Sequence, residues 1–386
     1  MAFPAPTFHG LAGRPRVLVA EDQSDVIAAL QLLLKRNGYD AEFVSTPADA
    51  LEAMRSRHFD IALLDLNYSR DTTSGSEGLD LVAQVKAIDS TLGVVVMTAW
   101  GSIPLAVSAM HRGACDFVQK PWDNAQLLAV LDKQIQASHS LRQRKLSHEL
   151  EQQEVAQIQR ALLPTQLSTP SGISIAATTQ SALTVGGDYY DVIRIDEHRS
   201  SVCIADVVGK GMAAALLMSN LQASVRMLAG EVVEPARFCE RVNQAVSANQ
   251  VPGKFITFFY CVLDSEKRHI KFTNAGHNWP VLVHADGTFE RLSTADPVLG
   301  MDPGSSFHQK ELELRSGDRL VLFTDGITEA CTAHGEEFGE EQFATLAAAH
   351  VTLSPSHMKN TLLRAVEEYC NLVWTDDATL IVIGID

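Results

Sequence analysis

The sequence lacks any CxxC pair: its six cysteines, Cys115, Cys203, Cys239, Cys261, Cys331 and Cys370, are scattered singly. That spacing argues against zinc-finger frameworks and disulfide scaffolds, so buried free thiols in a reducing compartment are expected. Basic residues are also in short supply. The chain has 31 Lys and Arg against 47 Asp and Glu, a formal net charge of −16, which disfavours direct binding to DNA or to an anionic membrane surface. No apolar run approaches the ~20 residues of a membrane span. Residues Met1 to Gly13 contain no basic segment leading into an apolar one, so a secretory leader is not expected and the protein reads as cytoplasmic. What is present is apolar content, 46% of 386 residues, enough for two packed domains and too much for wholesale disorder.

The first third alternates short apolar runs with helical periodicity. Arg16 to Ala20, Ala41 to Val44, Ile61 to Leu64, Gly93 to Met97 and Cys115 to Val118 read as strands. Ser24 to Arg36, Pro47 to Arg55, Gly78 to Ile88 and Ile103 to His111 read as helices. Five strands alternating with helices predict a doubly wound parallel sheet with a site along the carboxyl edge. The residues at that edge carry the chemistry. Glu21, Asp22 and Asp65 supply three carboxylates suited to one Mg²⁺, Thr98 a hydroxyl, and Lys120 a positive charge for a phosphoryl group that Asp65 would accept.

The motifs Val19-Ala20-Glu21-Asp22, Leu64-Asp65, Met97-Thr98-Ala99 and Lys120-Pro121 resemble those of the receiver domain of two-component response regulators, from about Arg14 to Ile135. The resemblance implies that Asp65 is the phosphoacceptor and that the carbonyl of Asn67 completes the Mg²⁺ shell. It also implies that Phe117 is an aromatic switch acting with Thr98, the alternative being a permanent core aromatic. A cognate histidine kinase would supply the phosphoryl group. The polar stretch Tyr68 to Glu77 is longer than is typical at this place and predicts a surface loop over the site.

From Asn124 the pattern is helical as far as Pro164. Its apolar seam is interrupted between Ser138 and Lys145, which predicts a connector that pairs weakly with a second copy in a homodimer rather than a regular coiled coil; a plain spacer helix is the alternative. The second half reads as short strands with helices inserted in pairs, an α+β sandwich. Strands are expected at Ile173 to Thr178, Tyr189 to Ile195, Ser201 to Ala205, Thr257 to Leu263, His269 to Asn274, Val281 to Ala285, Arg319 to Phe323 and Thr379 to Ile385. Helices are expected at Met212 to Leu228, Glu234 to Ser247, Glu341 to His350 and Pro355 to Tyr369. Within it, Ala205-Asp206-Val207-Val208-Gly209-Lys210-Gly211 brings one carboxylate to a strand end before a glycine-rich turn and a helix, an arrangement that holds a metal beside a phosphate.

Four motifs in order, Gly186-Gly187-Asp188, Ala205-Asp206, Thr324-Asp325-Gly326 and Asp376-Asp377-Ala378-Thr379, resemble the bacterial, sporulation and stress-response branch of PP2C-like serine/threonine protein phosphatases. The resemblance runs from about Gln157 to Asp386 and implies two Mn²⁺ or Mg²⁺ ions sharing a water. Asp206 would bridge them with the Val207 carbonyl beside it, and Asp188, Asp325 and Asp376 would complete the shells; Asp376 and Asp377 remain alternatives for one position. Asp191 is a further candidate ligand, with capping or support of a ligand as its alternative; His277, in Asn274-Ala275-Gly276-His277-Asn278, reads as a loop-stabilising residue with an acid role as the alternative, and Lys210 as a solvated turn residue with phosphate approach as the alternative. The expected organisation is a tail at 1–13, a receiver at 14–135, a connector at 136–165 and a phosphatase at 166–386. Phosphorylation of Asp65 would control hydrolysis of phosphoserine or phosphothreonine, by resemblance on an anti-sigma factor antagonist. The competing expectation is an adaptor with an inactive phosphatase fold. A DNA-binding output is disfavoured because no basic recognition helix follows Ile135.

Overall fold

The computed structural model describes residues 13–386 apart from 69–75, 99–102, 168, 232, 249–250 and 294–295. It divides into two compact units, Met1–Leu150 and Glu151–Asp386.

In the first unit, β1 (Arg16–Ala20), β2 (Asp40–Val44), β3 (Ile61–Asp65), β4 (Gly93–Thr98) and β5 (Asp116–Gln119) form one sheet in the order β2-β1-β3-β4-β5. Every pairing is parallel. The strands are apolar on both faces because helices cover both. Val17, Val19, Leu63, Val95 and Met97 pack with α1 (Ser24–Arg36) and the start of α5 (Asn124–Leu162). Leu18, Ala62, Leu64, Val94 and Val96 pack with α2 (Pro47–Ser56), α3 (Ser76–Ile88) and α4 (Ile103–His111). The strand order reverses at β1 and β3, so their carboxyl ends, carrying Glu21, Asp22 and Asp65, border the crevice where such sheets bind ligands.

Two expectations for this unit change. Tyr68, assigned to a surface loop, is buried, and its hydroxyl donates to the Ala20 carbonyl at 3.4 Å. The following helix begins at Ser76 rather than Gly78; the rest of the expected loop, 69–75, and Ala99 lie outside the described residues. Secondly, the polar stretch after Ile135 is polar because it binds the rest of the first unit. Ser138 is buried, His139 Nε2 meets Asp60 at 2.8 Å, and Arg142 donates to the Phe59 carbonyl at 2.8 Å and to Asp89 at 2.9 Å. The helix therefore continues as part of the first unit well past Ile135, and the division between the units falls inside it.

In the second unit two five-stranded antiparallel sheets face each other. One runs β13 (Lys310–Glu313), β10 (His269–Ala275), β9 (Ile256–Asp264), β8 (Arg199–Val207), β7 (Tyr189–Arg194). The other runs β12 (Phe289–Arg291), β11 (Val281–Val283), β14 (Arg319–Phe323), β15 (Ala378–Ile385), β6 (Ile173–Gln180). Val202, Ile204, Phe259 and Phe272 of the first sheet meet Leu320, Leu322, Ile381 and Ile383 of the second in the inner core. Alternate residues face outward. Cys203, Ala205 and Val207 pack under α6 (Met212–Leu228) and α7 (Pro235–Ser247), and Val321, Phe323, Leu380 and Val382 under α9 (Glu340–Ala349) and α10 (Pro355–Tyr369). The expected sandwich and its eight strands are present. The short β12, β13 and the one-turn α8 (Asp325–Thr328) were not expected, since three or four residues carry too little periodicity to read. All six cysteines are free thiols, and Cys203, Cys239, Cys261 and Cys370 are buried.

Ile383 is fully buried between the two sheets. Ile383→Ala should lower the stability of the second unit by about 2–5 kcal/mol, read as an earlier denaturant midpoint for that unit with the first unit's transition unmoved.

Candidate active sites

In the first unit, one carboxylate oxygen from each of Glu21, Asp22 and Asp65 lies within 4.8 Å of the others. Lys120 Nζ reaches Glu21 at 2.6 Å and Asp65 Oδ2 at 3.0 Å, while Asp65 Oδ1 accepts the Leu66 amide at 2.9 Å. Burial raises the carboxyls of Glu21 and Asp65 above their usual range, and Lys120 opposes the shift in both. Thr98 is buried at the end of β4, and its carbonyl accepts the Lys120 amide at 2.7 Å. Asn67 lies two residues beyond Asp65, and its side-chain Oδ1 is buried with no hydrogen bond among the described residues. Phe117 is 43% exposed, so the core-aromatic alternative does not hold. Three hard oxygen donors with a lysine beside them suit one Mg²⁺ and an incoming phosphoryl group.

In the second unit, Asp188, Asp206, Asp325, Asp376 and Asp377 come from four places in the fold. Asp188 immediately precedes β7, Asp206 lies near the end of β8, Asp325 opens α8, and the last two immediately precede β15. Asp206 is pushed up to about 7, by burial first and then by the charges of Asp325, Asp376, Asp377 and Glu329. Burial, followed by Asp206, raises Asp188 well above the carboxylate range. Asp188 Oδ2 accepts from the hydroxyls of Thr324 at 2.8 Å and Thr379 at 2.6 Å; its Oδ1 is buried without a partner among the described residues. Mutually repelling buried acids, one with an orphaned oxygen, fit bound divalent cations by donor type and by charge. Among the described residues no three acids of this unit converge as closely as the receiver trio.

The two adjacent aspartates differ. Asp377 accepts the Ala182 amide at 2.9 Å and the Gly187 amide at 2.7 Å, one on each oxygen. Asp376 Oδ1 accepts the Asp377 amide at 2.9 Å, and its Oδ2 pairs with Lys210 Nζ at 2.9 Å. Lys210, half-exposed in its turn, is thus also an ion-pair partner. Glycines let the backbone close around Asp377. A Cβ at Gly186 would stand 2.5 Å from the Asp377 carboxylate, and one at Gly326 would stand 2.1 Å from its carbonyl oxygen.

Asp191 and His277 have structural surroundings. Asp191 is buried against Tyr189 and Arg226, which reach it at 2.9 and 2.8 Å. His277 exchanges two hydrogen bonds with the Asn274 side chain, at 2.7 and 3.0 Å, and meets Thr257 at 2.9 Å. Burial pushes its imidazole down to about 3, which keeps it neutral. Gln159 is not among the expected site residues; its buried amide donates to the Gly186 carbonyl at 2.5 Å and accepts the Gly186 amide at 3.1 Å. A lone Gln in a polar helical stretch has no readable signature.

Gly326→Ala should cost the second unit about 1–3 kcal/mol of stability, visible in its denaturant midpoint. A carboxyl raised to about 7 remains protonated below that pH, so a cation that binds Asp206 there must displace its proton. Calorimetric Mn²⁺ titrations in buffers of different ionisation enthalpy should therefore register proton release at about pH 6 that shrinks by about pH 8. Proton-neutral binding at the lower pH would contradict the raised carboxyl.

Residues 196–386 match the Stage II sporulation protein E (SpoIIE) family, and residues 17–132 match the response regulator receiver domain. Phosphoserine phosphatase RsbU of Bacillus subtilis (strain 168) is 31% identical over 231 residues, which cover 59% of this chain and 68% of that protein. Among solved structures, the RsbU and RsbW domains of Rv1364c from Mycobacterium tuberculosis match with a TM-score of 0.51 at 26% identity, covering 58% of this chain and 63% of that one. The SiaA-PP2C domain of Pseudomonas aeruginosa shares the fold, with a TM-score of 0.55 at 22% identity over 64% of this chain and 99% of its own. The chain belongs to the SpoIIE and RsbU family of PP2C-like serine/threonine phosphatases, here joined to a response regulator receiver domain.

Proposed function

We propose that this protein is a response regulator whose output is metal-dependent hydrolysis of phosphoserine or phosphothreonine on a partner protein. The observation that carries the reading is the acid cluster of the second unit: carboxylates at strand and helix ends that raise one another's proton affinity, with Asp188 Oδ1 buried and without a partner among the described residues. Asp206 would bridge two Mn²⁺ or Mg²⁺ ions with the Val207 carbonyl nearby, and Asp188, Asp325 and Asp376 would complete the shells. When bound, the ions supply a water of lowered pKa and neutralise the phosphoryl oxygens. Both oxygens of Asp377 are committed to backbone amides, which favours Asp376 as the direct ligand and Asp377 as the residue that orients its loop. A neutral, buried His277 is better suited to fixing its loop than to donating a proton.

In the receiver, Asp65 would accept the phosphoryl group from a cognate histidine kinase: the phosphorus–nitrogen bond of the donor breaks as a phosphorus–oxygen bond to Asp65 forms. Glu21, Asp22 and the Asn67 carbonyl would hold Mg²⁺ with Asp65. Lys120 balances the added charge, and Thr98 and the exposed Phe117 would report it. RsbU is named a phosphoserine phosphatase, which supports a phosphoserine protein as substrate; by the family resemblance, a phosphorylated anti-sigma factor antagonist is the proposed one. We further infer a homodimer through α5, supported by the exposure of Leu141, Leu146, Leu150 and Ile158 along it. Free thiols, and the absence of a helix long and apolar enough to cross a membrane among the described residues, support action in the cytoplasm.

Mn²⁺-dependent phosphate release from a phosphoserine protein is the decisive assay. Asp206→Ala should reduce it by about 100-fold or more, and acetyl phosphate should change it in the wild type but not in Asp65→Asn. Absence of turnover with either metal would favour the adaptor reading. In light scattering, Leu146→Glu with Leu150→Glu should shift the protein to monomer; an unchanged mass would remove α5 as the dimer contact.

A further inference from the structure

The loop joining β8 to α6 carries Lys210 between Gly209 and Gly211, both with positive φ, at 101° and 71°. From there Lys210 Nζ reaches Asp376 Oδ2 at 2.9 Å and also donates to the Thr375 carbonyl. One lysine therefore ties the segment bearing Asp206 to the segment bearing Asp376. The other oxygen of Asp376 accepts the Asp377 amide, a backbone group fixed next to it in the chain. A cation ligated by Asp376 requires an oxygen at about 2.1 Å. An ammonium against Oδ2 occupies one of its lone pairs and sets a positive charge beside any cation bound there, and Lys210 is the partner able to leave, its side chain being 45% exposed.

We propose that Lys210 is a built-in counter-cation of the phosphatase centre, competing with a divalent ion for Asp376 and so setting how much metal the centre requires. This inference rests on the proposed two-metal reading and concerns how that centre fills. Lys210 is a positioning residue here. It neutralises and holds Asp376 when metal is scarce, and it withdraws to solvent when a divalent ion takes its place. The one ammonium opposes the ion in two ways, through loss of the ion pair and through repulsion. The pair is partly exposed, so each effect is screened and their sum is moderate.

The test is Mn²⁺ titration of the full-length protein by calorimetry, comparing wild type with Lys210→Gln and Lys210→Arg, and with Asp206→Asn to identify the phosphatase sites. The receiver site is common to all and cancels in the comparison. Lys210→Gln should tighten the Asp206-dependent binding by about 10-fold, whereas Lys210→Arg, which keeps the charge, should stay close to wild type. Equal or weaker binding in Lys210→Gln, with Asp206-dependent binding intact, would overturn the counter-cation role alone. Equal tightening in Lys210→Gln and Lys210→Arg would also overturn it, because the charge would then not be the cause. No Asp206-dependent Mn²⁺ binding in any form would overturn this role together with the two-metal reading.

Discussion

The carboxylate of Asp377 holds the second unit's centre together. Its two oxygens take the amides of Ala182 and Gly187, its backbone carbonyl lies against Gly326, and its own amide is bound by Asp376. Two of these contacts fix a neighbour of another acid: Gly187 precedes Asp188, and Gly326 follows Asp325. Four mutually repelling carboxylates do not assemble by their own attraction, so something else must oppose their separation. Hydrogen bonds from backbone amides to a buried charge are among the stronger neutral-to-ionic contacts available. The glycines matter because only a backbone without a Cβ can come this near.

The first unit meets the same electrostatic problem with a different device. There Lys120, only 17% exposed at its side chain, touches Glu21 and Asp65 together, and three carboxylate oxygens gather within 4.8 Å. In the second unit Lys210 touches one acid and is far more exposed. A buried lysine between two acids is a permanent component, since removing it would leave uncompensated charge in a poorly solvated place. A lysine at the rim can leave at little cost. The two lysines thus differ in kind, in burial and in the number of acids each one touches.

Much of this was legible in the sequence because the chemistry sits where regular structure ends. Apolar runs that stop at Asp22, Asp65, Thr98 and Lys120 give both the strands and the carboxyl edge, and a parallel sheet leaves little else for those residues to do. Asp188, Asp206, Asp325 and Asp376 were legible for the same reason, with glycines marking close backbone approach. Contacts between a side chain and distant backbone were not legible. Gln159 on Gly186, Asp377 on Ala182 and Arg142 on the Phe59 carbonyl leave no periodic trace, because a carbonyl or amide looks the same whatever residue carries it. Tyr68 failed for a related reason: beside Ser, Asp and Gly its ring read as loop, yet its burial is decided by the Ala20 carbonyl and the core beneath it.

The Gln159 contact also bears on how rigidly the centre is held. Gln159 lies in the last turn of α5, and its side-chain amide meets both backbone groups of Gly186, two residues before Asp188. Gln222 of α6 donates to the Leu162 carbonyl at the same helix end, at 3.3 Å. The segment leading to Asp188 is therefore held from two sides, by Asp377 through Ala182 and Gly187, and by Gln159 through Gly186. Rotation or sliding of that last turn by even a couple of ångströms would break both amide contacts at once, since neither tolerates such a change in donor–acceptor distance. Buried backbone groups left without partners are costly. The geometry of Asp188 and the seating of this helix turn are thus coupled within the second unit, through one side chain that makes no contact with the acids themselves.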